Sequence, residues 1–167
     1  MTGPSGFFSD KTKIFLLPGQ IAVAEEETLI STLLGSCVAV CLHDPLTKIG
    51  GLNHYLLAEV TKDEVPSSRY GIFAIPQLIK EMEKKGADIY QLQAKVFGGG
   101  NVHKDNKMGE AIGRRNVEQA EKMLKEKGIW IVRKDVGGDR SRKITFNTTT
   151  FEVLVHYHKT VDHKATG

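Results

Sequence analysis

Cys37 and His54 are the residues whose types and spacing most clearly suggest chemistry in this chain. Cys37 stands just before an apolar run at 38–43, and His54 lies in a second run at 52–57. Between them, Asp44-Pro45-Leu46-Thr47 is typical of a turn, because proline fixes φ where a type I turn requires it. The segment therefore predicts a hairpin that brings a thiol and an imidazole together, as a cysteine hydrolase requires.

The register of this hairpin decides whether the two side chains meet. A turn centred between Pro45 and Leu46 would place Cys37 directly opposite His54. Opposed residues of antiparallel strands point to the same face, with Cβ atoms about 4.5–5.5 Å apart. A shift of one residue would send the two side chains to opposite faces of the sheet.

The pair suits thiol chemistry because the thiolate is the attacking species. A nearby protonated histidine lowers the ordinary cysteine pKa of about 8.5, and His54 would then protonate the departing amine. Backbone N–H groups after the bend at Gly35-Ser36 would form an oxyanion pocket at Cys37. A third group should orient the imidazole, and Ser31 and Thr32 on the preceding strand are the nearest hydroxyl candidates.

Two other interpretations of the same residues stay open at this point. Cys37 is also compatible with a small core residue, and His54 with a group that satisfies a buried carbonyl. A zinc site would recruit Cys37, Cys41, His43 and His54, but tetrahedral zinc holds its donors within about 2.0–2.3 Å of the metal. Residues four apart on a strand do not converge so closely, so we expect Cys41 in the core and His43 near the turn and solvent.

The composition restricts the class of protein. The chain has 167 residues, of which 40% are hydrophobic and 26% charged, which is ordinary for one globular domain. The net charge of +3 comes without a long basic run, so nucleic-acid binding is not indicated. Membrane insertion is not predicted either, since no stretch approaches about 18 apolar residues. The lack of signal-peptide features and the two cysteines predict a reducing, cytoplasmic setting.

The pattern of apolar residues predicts a mixed α+β domain. About eight strands are expected, in the runs 13–17 (with 21–24 as its continuation), 28–34, 38–43, 52–57, 92–97, 129–134, 143–146 and 151–157. Helices are expected at 75–85, opening at Ile75-Pro76, and from 113 or 114 to 127. Strands and helices do not alternate regularly, which favours a single α+β domain over a doubly wound parallel sheet. The predicted boundaries are a flexible segment 1–11, a domain 12–158 and a tail 159–167.

Glycines after the predicted strand at 92–97 form another noticeable motif. Gly98-Gly99-Gly100-Asn101 fits neither the phosphate-binding loop nor the dinucleotide fingerprint. We expect these glycines to let the backbone pass close to the active site or a bound peptide. His156 and His158 are expected at a surface or sheet edge, and Arg142 in a charged turn.

Six segments together carry a pattern that is specific in its order. They are Leu34-Gly35-Ser36-Cys37-Val38-Ala39-Val40, Asp44-Pro45, Gly50-Gly51-Leu52-Asn53-His54, Ala94-Lys95-Val96-Phe97-Gly98-Gly99-Gly100, Ile112-Gly113-Arg114-Arg115-Asn116-Val117, and Asp135-Val136-Gly137-Gly138-Asp139-Arg140 with Arg142. The pattern resembles the CheD family of bacterial chemoreceptor glutamine deamidases. The likeness covers roughly residues 12–157.

This resemblance implies a fold and an activity. The fold would layer helices on packed mixed or antiparallel β-sheets, as in CheD and the cytotoxic necrotizing factor deamidases. The activity would be hydrolysis of glutamine side chains on chemoreceptors (methyl-accepting chemotaxis proteins) to glutamate, through a thioester. The resemblance assigns the nucleophile to Cys37 and the base to His54. The third catalytic position is a threonine in the family and Ser31 here, with Thr32 one residue away.

The resemblance also implies which partners and cofactors to expect. The substrate would be the cytoplasmic helices of chemoreceptors, and the phosphatase CheC is a candidate partner. Neither a metal nor an organic cofactor is expected. A receptor methylesterase and a non-enzymatic adaptor that binds CheC or receptors are the alternatives to a deamidase.

Overall fold

The computed structural model of the protein describes residues 11–102 and 107–159. Its elements, in chain order, are β1 (Thr12–Phe15), β2 (Ile21–Ala24), β3 (Thr28–Leu34), β4 (Val38–His43), β5 (Gly50–Asn53), α1 (Gly71–Lys84), a short 3-10 turn (Ile89–Gln91), β6 (Gln93–Gly98), α2 (Lys107–Glu126), β7 (Trp130–Val136), β8 (Arg142–Asn147) and β9 (Val153–Tyr157). The flexible segment predicted at 1–11 and the tail predicted at 159–167 lie outside the described residues, apart from Lys11 and Lys159.

The strands form two mixed sheets. The four-stranded sheet has the order β1-β3-β8-β9, and the five-stranded sheet has the order β2-β5-β4-β6-β7. Only the pairs β1–β3 and β6–β7 are parallel among the described strands. Both helices pack against the five-stranded sheet. The predicted α+β class, with helices on packed sheets, is confirmed.

β4 lies between two hydrophobic cores, and its side chains alternate between them. Val38, Val40 and Leu42 pack in the core that the helices cover. Ala39 and Cys41 point the other way, into the core shared by the two sheets. All six residues of the strand are buried, since a central strand has no solvent face. Cys41 is fully buried, as predicted.

Between β3 and β4 the chain changes sheets at a short bend. β3 ends at Leu34 in the four-stranded sheet, and β4 begins at Val38 in the five-stranded sheet. Gly35, Ser36 and Cys37 make the crossing. Cys37 therefore lies at the end of the sandwich, where it is partly exposed while the next residues are buried.

The helices begin earlier than the sequence pattern predicts. α1 starts at Gly71 rather than at Ile75, so Pro76 lies inside the helix instead of in its first turn. The extra turn packs tightly, because a Cβ on Gly71 would lie 2.8 Å from Cε2 of Tyr55. α2 is already helical at Lys107, before the expected start at 113 or 114. Leu78, Ile79 and Met82 form a buried apolar stripe on α1, as their helical spacing predicts.

The sequence predicted His43 near the turn and solvent, and this prediction is wrong. Its side chain is buried, with 3% of the residue exposed. The ring stacks on Phe151 at a centroid distance of 4.9 Å, and Nε2 is 2.9 Å from the carbonyl oxygen of Thr149. The β8–β9 connection covers the end of β4, which the local sequence around His43 does not reveal. Separately, no helix within residues 11–102 and 107–159 is long and apolar enough to cross a membrane.

Candidate active site

The hairpin predicted from the sequence forms, but its register differs by two residues. Cys41 pairs with Leu52, and an isolated bridge joins Val38 to Tyr55. This register places Ala39, not Cys37, opposite His54. Because side chains alternate with a period of two, the shift keeps Cys37 and His54 on the same face as diagonal neighbours.

Asp44 accounts for the shifted register. Its Oδ1 accepts hydrogen bonds from the N–H groups of Leu46 and Thr47, at 2.8 and 3.3 Å. Its backbone pairs with Ile49 and Lys48, which closes a longer loop than a turn centred between Pro45 and Leu46. The hairpin therefore turns one residue further along the chain than predicted.

His54 is held from both ends of the residue. Its carbonyl oxygen accepts a 2.7 Å hydrogen bond from the N–H of Gly19. Its Nδ1 is 2.6 Å from Oγ1 of Thr32, and that hydroxyl donates to the carbonyl oxygen of Leu16 at 2.7 Å. Since the hydroxyl has one hydrogen and uses it on Leu16, Nδ1 must carry the proton that it shares with Thr32. This assignment leaves Nε2 as the basic nitrogen.

Thr32, not Ser31, makes the contact that was predicted for the third catalytic position. Ser31 points to the outer face of the four-stranded sheet, where its Oγ lies 3.0 Å from Oγ1 of Thr145. Neighbouring residues of a strand face opposite ways, so both hydroxyls cannot reach the imidazole. The sequence contains a signal for this choice. Ile30, Thr32 and Leu34 occupy alternate positions of β3 and therefore share one face, and the apolar residues at 30 and 34 mark that face as the buried one.

Burial sets the protonation states of the pair. Desolvation lowers the pKa of His54 to about 4. It also raises the pKa of Cys37, although the backbone N–H of Cys37 itself pulls that value down. Near neutral pH both groups are therefore uncharged, unlike the thiolate and imidazolium pair expected from the sequence. Among the described residues Nε2 of His54 has no hydrogen-bond partner, which leaves it open to accept the thiol proton.

The glycine loop after β6 passes directly beside Cys37. Gly99 donates to the carbonyl oxygen of Cys37 at 2.8 Å, and Gly100 donates to that of Gly35 at 2.9 Å. Gly98 has a φ of +107°, and a Cβ there would overlap the carbonyl oxygen of Cys37. The prediction that these glycines allow a close backbone approach is confirmed, and the backbone approached is that of the candidate nucleophile.

Arg142 supports this loop and was not singled out from the sequence as a buried residue. It is 2% exposed and forms a 2.6 Å ion pair with Asp135. Its guanidinium also donates to the carbonyl oxygen of Gly137, whose N–H donates to Gly98. A buried arginine with a carboxylate partner fixes the turn that holds the glycine loop. From the sequence, the charged turn that contains Arg142 was open to either a structural role or a contact with a partner.

The zinc set considered from the sequence is not brought together. Cys37 and His43 lie at opposite ends of β4, and Cys41 points into the core between the sheets. Across the part of the chain that the structure describes, no group of three or more His, Cys, Asp or Glu side chains converges on a point. Thr32 and His54 are in direct contact, and the hairpin register places Cys37 on the same face as His54.

A thiol, an imidazole of fixed tautomer and a hydroxyl that orients it are the parts of a cysteine-dependent hydrolase. Comparison with known proteins gives the family. A family model described as CheD chemotactic sensory transduction matches residues 56–157. The chain belongs to the CheD family, as its motifs predicted.

Relatives of similar length support this membership. A probable chemoreceptor glutamine deamidase CheD 1 of Anaeromyxobacter dehalogenans (strain 2CP-C) is 45% identical over 137 residues, 82% of this chain and 80% of that protein. A probable chemoreceptor glutamine deamidase CheD of Xanthomonas axonopodis pv. citri (strain 306) is 44% identical over 140 residues, 84% of this chain and 70% of that protein. A likeness to the crystal structure of the Bacillus licheniformis hypothetical protein YfiH has a TM-score of 0.44 at 10% identity, over 71% of this chain and 49% of that one.

The extent of these matches bears on the candidate site. The family model begins at residue 56, after Cys37 and His54. A match of 137 residues in a chain of 167 must nevertheless begin at residue 31 or earlier. The segment that carries Cys37, His54 and Thr32 is therefore inside the matched region of these relatives.

Proposed function

We propose that this protein hydrolyses glutamine side-chain amides on chemoreceptors, the methyl-accepting chemotaxis proteins, to glutamate. Cys37 is the nucleophile, His54 is the general base and acid, and Thr32 orients His54. The observation that carries the proposal is the geometry of the His54 ring. Thr32 holds its Nδ1–H, and on the face that Cys37 shares its Nε2 has no hydrogen-bond partner among the described residues.

The attack begins from the neutral pair. Nε2 of His54 takes the thiol proton as Sγ of Cys37 attacks the amide carbon of the glutamine. The carbonyl oxygen becomes an oxyanion, which needs hydrogen-bond donors already in place. Within residues 11–102 and 107–159 the N–H groups of Ser36 and Cys37 donate to no other residue, which makes them the candidate donors for this role.

The intermediate collapses by losing ammonia. Nε2–H of His54 returns the proton to the departing nitrogen, the C–N bond breaks, and a thioester remains on Cys37. His54 is neutral again and removes a proton from a water molecule that attacks the thioester. Release of the thiol gives glutamate, and the overall reaction consumes one water and releases one ammonia.

This sequence of steps needs no metal or organic cofactor, because His54 moves each proton and backbone groups serve the oxyanion. The reaction converts a neutral glutamine side chain into an anionic glutamate side chain. On a receptor helix that charge changes the electrostatic interaction with neighbouring helices. In this proposal the protein acts in the cytoplasm on the cytoplasmic helices of the receptor, and CheC is a partner that regulates it.

Peptide mass spectrometry of a receptor cytoplasmic fragment tests the proposal. Deamidation by a thiol hydrolase adds about 1 Da to a glutamine peptide, whereas demethylation of a glutamyl ester removes about 14 Da. We expect the first shift with the wild-type protein and none with Cys37→Ala. A loss of about 14 Da would identify a methylesterase, and an unmodified receptor that still binds the protein would identify an adaptor.

A further inference from the structure

We propose that Asn116 is a positioning residue that orients the peptide N–H of Cys37 toward the developing oxyanion. The inference rests on the proposed function, because an oxyanion forms only if Cys37 attacks an amide. Asn116 lies in the middle of α2, outside the segments that carry Cys37 and His54. It acts through the backbone of the nucleophile and does not touch the reacting atoms.

The burial of Asn116 calls for an explanation. Its exposed fraction is 0%, and its helix neighbours Val117 and Ala120 pack in the hydrophobic core. An amide in such a place lowers stability unless hydrogen bonds replace those it made with water. An aliphatic residue would suit the position better if packing were its purpose.

Both hydrogens of the Asn116 amide are used on the backbone beside the site. Nδ2 donates to the carbonyl oxygen of Ser36 at 2.9 Å and to that of Leu56 at 2.8 Å. Two carbonyl acceptors require the nitrogen at this position, so the orientation of the amide is fixed. Oδ1 is buried without a partner in the described part of the chain. The amide nitrogen therefore satisfies the two backbone carbonyls, while the amide oxygen gains no hydrogen bond in return.

The bond to Ser36 determines the direction of the Cys37 N–H. The peptide unit between Ser36 and Cys37 is planar and trans, so its C=O and N–H point in opposite directions. Holding the Ser36 oxygen against Asn116 turns the Cys37 N–H away from α2. A hydrogen bond accepted at C=O also polarises the peptide and strengthens its N–H as a donor.

The bond to Leu56 ties the histidine segment to the same amide. Leu56 follows Tyr55, which exchanges backbone hydrogen bonds with Val38 at 3.1 and 2.9 Å. The Tyr55 hydroxyl donates to the main-chain oxygen of Asn116. Asn116 thus fixes the bend before β4 and the chain after β5 relative to one helix.

Kinetics of Asn116→Leu and Asn116→Ala test the proposal. Loss of one oriented oxyanion donor lowers kcat about 10²–10³-fold in other hydrolases. We expect a kcat loss approaching that range with KM changed less than about threefold, since the donor acts mainly in the transition state. Alkylation of Cys37 by iodoacetamide forms no oxyanion. The alkylation rate should therefore fall much less than kcat does.

Gln119→Leu is the matched control. Gln119 is a buried amide on the same helix, and its Nε2 contacts Sδ of Met123 rather than either catalytic segment. This variant should keep the wild-type kcat. An equal kcat loss in Gln119→Leu, or a parallel collapse of Cys37 alkylation in Asn116→Leu, would show a general packing role and overturn the proposal.

A spectroscopic measurement separates this proposal from the proposed function. The chain has two cysteines, Cys37 and Cys41, so protein labelled with ¹⁵N-cysteine gives two amide signals. In Asn116→Leu we expect the Cys37 signal to move and the Cys41 signal to stay. An unmoved Cys37 signal, or an unchanged kcat in the folded variants, overturns the role of Asn116. A wild-type protein that releases no glutamate overturns the proposed function instead.

Discussion

Replacing Thr32 with valine removes the hydroxyl that orients His54 and keeps the shape of the side chain. The hydroxyl makes two buried hydrogen bonds, at 2.6 Å to Nδ1 of His54 and at 2.7 Å to the carbonyl oxygen of Leu16. Valine satisfies neither group. Nδ1 then no longer favours the proton, and the tautomer with Nε2 as the base loses its advantage.

The size of the effect follows from these two bonds. Each of the two buried partners left unsatisfied costs about 1–3 kcal/mol, so we expect Thr32→Val to lower the free energy of unfolding by roughly 2–6 kcal/mol. A domain in the upper part of the usual range of about 5–15 kcal/mol stays folded after such a change. If about 1.5–3 kcal/mol of the loss falls on the orientation of His54, kcat drops about 10–100-fold, since 1.36 kcal/mol is tenfold.

The assay is ammonia release from a receptor cytoplasmic fragment, with Thr32→Ser and Ser31→Ala as controls. Thr32→Ser keeps the hydroxyl and should retain most of the activity. Ser31→Ala removes only a contact with Thr145 on the outer face of the sheet, so its kcat should stay within about twofold of the wild type. A large loss in Ser31→Ala together with a mild one in Thr32→Val would refute the reasoning.

Three further predictions follow from the site. The pKa of His54 is about 4, below its unfolded value of about 6.5, so His54 should remain a base and kcat/KM should stay level from about pH 5.5 to 8. A loss of kcat/KM on acidification that is centred near pH 6.5 would contradict this. The unfolded state binds more protons between these values, so this contribution of His54 to stability is complete above about pH 6.5, and about 3 kcal/mol is lost as the pH falls through 4. In denaturant unfolding, the stability of the wild type relative to His54→Gln should fall by about 3 kcal/mol between about pH 7 and pH 3.5, and a difference that does not change with pH would contradict this. Gly98→Ala should abolish activity and destabilise the fold, because its Cβ would overlap the carbonyl oxygen of Cys37. The control Gly128→Ala is also at positive φ but has no atom within 4 Å of the added Cβ, so it should cost about 1 kcal/mol and leave kcat unchanged. Equal effects of the two variants on thermal unfolding and kcat would be evidence against the glycine-loop contact.

The pairing of Cys37 with His54 is accessible from sequence because both lie in one hairpin. Local signals decide such a structure: apolar runs, a turn with Pro45, and the period of two along each strand. The register is harder to predict, because the Asp44 side chain binds two backbone N–H groups and lengthens the loop. The error of two residues left the face correct, whereas an error of one would have separated the pair.

Other features depend on contacts between distant parts of the chain. Thr32 contacts His54 across the interface between the two sheets. Nothing in the sequence near Thr32 or near His54 specifies that these sheets pack together. His43 is buried because Phe151, far along the chain, stacks on it. Arg142 looks like a surface charge until Asp135 is placed beside it. In each case a tertiary partner, rather than the local pattern, determines the environment.

Acid quenching of the reaction during turnover, followed by intact-mass analysis, detects the thioester on Cys37. We expect a covalent complex of the protein with a receptor fragment, lighter than the two parts by one ammonia, about 17 Da. Digestion should locate the link at Cys37, and Cys41→Ala should form the same complex. Glutamate that forms at the wild-type rate in Cys37→Ala, with no adduct at that position in the wild type, would exclude Cys37 as the nucleophile.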